Sequence, residues 1–281
     1  MGKLRIPGRG PEFLLLGMQK RRLHTCKSIL NVLLFLKKCR EAETMKKLLV
    51  IALILTMVLS GAVLAEAESA NQDIGSVVAF GHYEQDNDMS NGKEPIEWII
   101  LDKREDGSVV LLSKYALDCK RYNDEYTSVA WGTCTLRTWL NEDFYNAAFS
   151  TEEQAKIKTV KVANEDKPYY ATKGDEDMED KVWLLSINEV TDSVTGEKVY
   201  SCFTDDSSRM CVPTKYAVAQ GAYQSSDYTV DGVGTCWWWL RSPGYDRWYA
   251  AYVGIDGSVD SYGTIVRYDF SSVRPVVVVL P

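Results

Sequence analysis

The sequence predicts an α+β domain with a mixed, mostly antiparallel sheet, two helices and long loops. Three observations carry this. An alternating hairpin lies near residue 100, the spacing turns helical after residue 134, and β-branched, strand-like runs return after residue 237. Strands and helices that come in blocks, rather than as alternating βαβ units, indicate helices segregated to one side of an antiparallel sheet.

This reading applies to residues 66–281, 216 of the 281 residues. Met45 opens MKKLLVIALILTMVLSGAVLAEAESA, with Lys46 and Lys47 as a basic start, an uncharged apolar run from Leu48 to Leu64, and small residues around Ala65 and Ala67. That tripartite pattern predicts a secretory signal peptide at 45–65, and hence a secreted or cell-surface protein with no membrane span after cleavage. Residues 1–44 are basic and lack the period of a packed domain. They read as a start assigned too early or as a basic leader.

The elements follow in order. A short strand is expected at Ser76–His82. In IEWIILDKREDGSVVLLSKY, Ile96, Trp98 and Ile100 alternate with Glu97, Ile99 and Leu101, and Asp106-Gly107 supplies a turn before Val109–Leu112. Leu136, Trp139, Leu140 and Phe144 fall on one helical face. Ser150-Thr-Glu-Glu153 has the capping-box form and predicts a second helix with Ala155 and Ile157 inward. The acidic run Gly174–Asp180 places five carboxylates in six residues but lacks EF-hand spacing, so it reads as a solvated loop. Val182–Leu185 predicts a buried strand, and Val190–Tyr228 a long irregular surface region. Trp237–Leu240 is apolar; Ala251, Val253 and Ile255 alternate with Tyr252, Gly254 and Asp256, and Asp256-Gly257 marks a turn. Ser272–Leu280 is apolar enough for a central strand, with Pro275 at its start or at a bulge. No internal repeat and no heptad pattern is read.

Charge and motifs exclude several functions. Residues 1–65 carry 12 basic and 3 acidic side chains, which leaves 20 and 36 for residues 66–281, a net charge of −16. Such a body is unsuited to nucleic acid, where clustered Lys and Arg must neutralise phosphate. Residues 66–281 contain one histidine, His82, so neither a catalytic triad nor a histidine pair at metal spacing is supported. No G-x-S-x-G, phosphate loop, dinucleotide fingerprint or C-x-x-C occurs. No cofactor or metal is expected. Of Cys119, Cys134, Cys202, Cys211 and Cys236, Cys202 and Cys211 are near enough in sequence for one disulfide; otherwise the five read mostly as buried small hydrophobes.

The tail is compositionally distinct. Residues 244–272, GYDRWYAAYVGIDGSVDSYGTIVRYDFSS, hold five Tyr, four each of Asp, Ser and Gly, two Arg and one Trp, with no Lys or Glu. Tyr and Trp give large rigid contact area at low entropic cost, and Ser and Gly adapt around them. Lys and Glu are depleted at interfaces. These positions interleave with a regular frame, Trp237–Gly244, Ala250-Ala251, Val253, Gly257, Val259, Gly263, Val266 and Val273-Arg274-Pro275. Trp237–Trp239, Leu240 and Val276–Leu280 are expected to build the scaffold, with Arg241 and Arg274 paired to acidic residues rather than to ligand.

The stretches IEWIILDK, LLSKYALDCKRYN, CTLRTWLNEDFYNAAFSTEEQAKI, DKVWLLS, WWWLRSPG, AAYVGIDGSV and VRPVVVV together resemble a bacterial family, often exported, of unknown function. The LR-containing strand before the tail and the Val-Arg strand after it also resemble the C-type-lectin fold. That fold is shared by formylglycine-generating enzymes and the variable proteins of diversity-generating retroelements. The resemblance implies that Tyr245, Asp246, Arg247, Trp248, Tyr249, Tyr252, Asp256, Asp260, Tyr262, Arg267 and Tyr268 contact ligand. In such targets, adenine-directed substitution of AAC codons cannot yield Lys, Glu, Gln, Met or Trp. Residues 244–272 lack the first four, and Trp248 is then template-encoded. The enzymatic branch requires a closely spaced cysteine pair, which the sequence lacks, and the calcium-dependent lectins a Glu-Pro-Asn motif, also lacking. The expectation is an exported binding protein with a protein or carbohydrate ligand outside the cell. An exported enzyme using a carboxylate pair or a cysteine, and a structural envelope protein, stay open.

Overall fold

The computed structural model describes residues 73–167, 170–191 and 199–281. The leader and the expected signal peptide lie outside them. The fold is α+β with mostly antiparallel sheets and few helices. In chain order the first strands are β1 (Val77–Tyr83), β2 (Glu94–Lys103), β3 (Val109–Ser113), β4 (Asp118–Cys119), β5 (Val160–Val162), β6 (Met178–Asp180) and β7 (Val182–Trp183). They are followed by β8 (Thr229–Val230), β9 (Val233–Gly234), β10 (Trp238–Pro243), β11 (Tyr249–Val253), β12 (Val259–Ile265), β13 (Ser272–Val273) and β14 (Val276–Val279). One five-stranded sheet has the order β1-β2-β3-β14-β7 and the other β12-β11-β10-β13-β4, and the only parallel pairing within them is β10 with β13.

The β2–β3 hairpin follows from its alternation, and Ile96, Trp98 and Ile100 are fully buried. Its turn is closed by Asp106, whose Oδ1 accepts the amide (3.0 Å) and hydroxyl (2.6 Å) of Ser108, with Gly107 in the left-handed region at φ 81°. That conformation is why glycine stands there. The helical run Thr135–Ala148 buries Leu136, Leu140 and Phe144 against the core. It widens to a π-turn at Leu140–Phe144, and there the Asn141 side chain accepts from Lys181 N and donates to Val182 O, docking the bulge on β7.

The capping box at Ser150 and Glu153 forms, but its helix is only Thr151–Gln154; Ile157 is buried whereas Ala155 is exposed. An unanticipated second capping box, Ser186 with Glu189, starts the helix Ile187–Val190. The acidic run is not a plain loop. Its end forms β6 against β5, and Asp180 is fully buried, accepting from Trp131 Nε1 (2.8 Å) and Arg137 Nε (2.7 Å). The stretch after Val190 is also more than surface. Tyr200, Phe203, Arg209, Cys211 and Ala217 are buried, and Thr214 caps a helix at Lys215–Ala219. Its polar composition reflects hydroxyls that bond backbone: Thr214 Oγ1 accepts from Ala217 N, and Ser225 Oγ from Asp227 N and Tyr228 N.

At the C-terminus, Val276–Val279 is buried between β3 and β7, while Leu280 lies outside the strand and is exposed. Trp238 and Trp239 are fully buried, with indole N–H groups donated to Arg209 O and Lys120 O. Trp237 precedes β10, is only half-buried, and stacks on Tyr223 at 4.6 Å. Arg241, 3% exposed, pairs with Glu189 and donates to Leu184 O and Ala163 O. Arg274 takes no carboxylate among the described residues. It donates to Ser113 O (2.9 Å) and lies 5.0 Å over the Trp238 ring.

Glu189→Ala leaves the Arg241 charge buried without its partner, so denaturant unfolding should show a loss of about 3 kcal/mol or more. A loss no larger than that of an exposed ion pair would mean Glu189 is not the counter-charge that holds Arg241.

Candidate ligand-binding face

Strands β10, β11 and β12, running from the centre of the second sheet to one edge, place the tail residues. Tyr249 pairs with Ile265 at one end of the β11–β12 hairpin, and Val253 with Val259 at the other. At the first end the chain folds back, with Gly244 N donating to Tyr249 O and Tyr245 N to Tyr262 O, both at 2.7 Å. This brings Tyr245 and Tyr262 into a stack with centroids 5.1 Å apart, and Tyr249 lies edge-on to Tyr262 at 5.6 Å. Tyr245 and Tyr262 are 48% and 49% exposed. Trp248 packs on Tyr126 at 4.8 Å, and these two with Asp246 and Tyr249 line an open cleft.

A further cleft is lined by Trp237, Tyr252, Thr264, Tyr268 and Ser271. The Tyr252 hydroxyl donates to Asp260 Oδ2 at 3.0 Å, and Asp260 Oδ1 accepts from Gly263 N. Ser271 is 1% exposed and its Oγ has no hydrogen-bond partner. A buried hydroxyl left unmatched costs free energy, so this cleft holds an unused polar group among three aromatic rings.

Not all the expected contact residues share this face. Asp256 closes the opposite end of the hairpin, and its Oδ1 accepts from the amide (3.0 Å) and hydroxyl (2.6 Å) of Ser258. Gly257 sits at φ 81°, where a Cβ would strike Asp206 O. This Asp-Gly-Ser turn matches the one at Asp106, a local recurrence that the sequence reading passes over. Arg247 is tied down, donating to Lys173 O and Gly174 O. Arg267 is exposed just beyond β12, and Tyr268 is half-buried at the second cleft.

The sequence reading misses the residues that come to the face from elsewhere: Tyr126, Lys167, Tyr170, Tyr223 and, as a cleft residue, Trp237. Tyr170 is edge-on to Tyr245 and Tyr262 at 5.5 and 6.3 Å, and Thr172 Oγ1 donates to Tyr245 O at 2.6 Å. Lys167 is 4% exposed with its ammonium 4.0 Å from the Tyr170 ring and no hydrogen-bond partner; burial pulls its pKa down to about 8 against the pull of Asp260. No local signal could assign Tyr126 or Tyr170, whose partners Trp248 and Tyr245 lie 122 and 75 positions along the chain, whereas Tyr223 and Trp237 are only 14 apart.

The five cysteines are all free thiols, Cys202 and Cys211 included. The fold instead sets Cys211 beside Cys236, with Cys236 N donating to Cys211 O at 2.8 Å. Burial raises both thiols. At Cys211 the hydrogen bond with Cys236 and the Arg274 guanidinium outweigh burial and bring it below its ordinary value. Both residues are at most 1% exposed, so a substrate has no contact with either sulfur.

A family model described as "Domain of unknown function (DUF6273)" matches residues 106–281. The chain belongs to that family. No curated protein and no solved structure matches it. The DUF6273 match opens inside the β2–β3 turn and takes in the whole aromatic face, so β1 and β2 precede it. Among the described residues, no helix is long and apolar enough to cross a membrane.

A bulky maleimide applied to the native protein should label Cys202, which is half-buried, and spare Cys211 and Cys236. Rapid labelling of Cys211 without unfolding would show that its thiol is open to solvent and reopen cysteine chemistry.

Proposed function

We propose that the chain is an exported binding protein whose C-type-lectin-like scaffold presents the aromatic face at β10–β12 to a protein or carbohydrate ligand outside the cell. The observation that carries the reading is the cluster of Tyr170, Tyr245, Tyr249 and Tyr262, rings in mutual contact of which two are about half exposed. Packed tyrosines of this kind offer rigid, amphipathic contact area that loses little side-chain entropy on binding. Trp248 and Tyr126 extend the cluster on one side, and Tyr252, Tyr268 and Asp260 line or support the second cleft. Asp256 and Arg247 serve the framework in this reading, because their polar groups are already engaged within the fold.

The export half of the proposal rests on the signal-like run at 45–65, and the binding half on the face. Tyr245→Ala with Tyr262→Ala should abolish binding of labelled protein to cells or glycan and protein arrays that the parent chain recognises, while leaving the thermal midpoint nearly unchanged. Aromatic anchors at the centre of an interface contribute about 2 kcal/mol or more each, so the double variant should lose at least about 100-fold in affinity. Unchanged binding by the folded double variant would remove the face from the mechanism.

Diversification of the face, part of the retroelement analogy, is read at the DNA level. A near-copy of codons 237–275 close to the gene, differing only at adenines and accompanied by a reverse transcriptase, is the expected finding. If no such copy exists, the face has a fixed specificity.

A further inference from the structure

At the far end of the β1–β2 pair, outside the aromatic face, three carboxylates converge. One carboxylate oxygen from each of Glu84, Asp86 and Glu94 lies within 4.8 Å of the other two. Glu84 directly follows β1 and Glu94 begins β2, and the stretch from one to the other, EQDNDMSNGKE, turns back through Asn87 in the left-handed region at φ 63°. The loop is rich in oxygen donors. Asp86 accepts from Asp88 N and Asn91 Nδ2, Asp88 from Ser90 N and Oγ, and Glu94 Oε2 from Gln85 N.

Converging acids alone are common on protein surfaces. Glu84 separates this cluster from that background. It is 6% exposed, and its Oε1 is buried without a hydrogen-bond partner. An ionised carboxylate cut off from water needs a cation or donors, and here it faces two further carboxylates. No Lys or Arg makes an ion pair with any of the three among the described residues.

We propose that Glu84, Asp86 and Glu94 bind one calcium ion. The ligands are all oxygen, which disfavours zinc and other metals that prefer nitrogen or sulfur. Three oxygens spread over as much as 4.8 Å can close on an ion with bonds of about 2.3–2.6 Å more easily than on magnesium, which demands about 2.0–2.1 Å and an octahedral shell. Backbone carbonyls of the loop and water complete the six to eight oxygens that calcium takes, as in other calcium loops, so the site tolerates a three-carboxylate core. The ion would clamp the β1–β2 end, and this role is independent of the ligand face.

The experiment is calcium titration of the full chain by calorimetry after chelator treatment, with thermal unfolding read in parallel. One ion per chain and a higher unfolding midpoint in calcium than in equal magnesium are expected. Glu84→Gln should weaken calcium binding at least about tenfold, since even changes behind the ligands cost that much. The same variant should be more stable than the parent in chelator, because it removes a buried, repelled charge. Asp86→Asn, at a half-buried position, repeats the affinity test should Glu84→Gln fail to fold. No heat and no midpoint shift at millimolar calcium overturns the proposal. So does calcium binding that survives both variants, which would place the ion elsewhere, and an equal response to magnesium overturns the choice of ion.

Discussion

The two sheets are joined by one strand segment that belongs to both. Ser272–Val273 pairs with β10 and β4 in the second sheet, and Val276–Val279 with β3 and β7 in the first. The crossing is Arg274-Pro275. Proline has no N–H to leave unmatched at the break, and its carbonyl accepts from Ser113 N. Arg274 is buried beside it, bonded to the Ser113 carbonyl of the first sheet and lying over the Trp238 ring of the second. A guanidinium suits this position because its fork reaches carbonyls while its flat face covers an aromatic ring. With no carboxylate in the arrangement, the charge is held by dipoles and by the ring, and both sheets must be in place for it to be satisfied.

The aromatic face depends on that junction because β10 is its inner strand. Trp238 and Trp239 anchor β10 on both of its sides, and β11 and β12 hang from it in sequence. The hairpin is pinned at its lower end, where Arg209 Nε donates to Gly257 O, so the upper end is free to carry exposed tyrosines. Tyr170 and Thr172 then join it, the one edge-on to Tyr245 and Tyr262 and the other bonded to Tyr245 O. The face is thus built from three distant parts of the chain, two of which the sheets hold rigid. In the proposed binding role this rigidity is an advantage, since rings already packed against one another would lose little freedom under a ligand.

Much of this was legible in the sequence, and the exceptions have a common cause. The β2–β3 hairpin is readable because one alternation, Ile96-Trp98-Ile100, and one turn, Asp106-Gly107, are both local. Ser150 and Glu153 announce a helix start correctly, but the helix ends at Gln154 and Ile157 instead bridges to Val279, a contact more than 120 residues away that no local pattern shows. The triple tryptophan misleads at Trp237, since hydrophobicity cannot show that this ring lies before the strand and stacks on Tyr223. The acidic run misleads at Asp180, whose partners Trp131 and Arg137 lie more than 40 residues upstream. The tail composition points to the right strands for an exposed aromatic cluster, yet not to Tyr126 or Tyr170, which only the tertiary fold delivers.

The acidic excess itself has a structural explanation. Asp88, Asp106, Asp205 and Asp256 each accept both a backbone amide and a serine hydroxyl two or three residues ahead, so that four separate turns are closed by one device. Serine hydroxyls are the foremost cause holding Asp88, Asp205 and Asp256 below the usual aspartate range, and Lys158 the foremost at Asp106. A carboxyl with a depressed folded pKa adds stability above its unfolded pKa and loses it only as the pH falls through the folded value. These turns therefore favour the folded state throughout the neutral range. Glu84 has the opposite sign. Its raised carboxyl lowers stability as the pH rises past its ordinary value, and its buried Oε1 has no hydrogen-bond partner. Among the described residues, buried charged groups left without a hydrogen-bond partner are few, Lys167 at the aromatic face and Glu84 at the β1–β2 end, and at Glu84 the proposed calcium ion would supply what the chain does not.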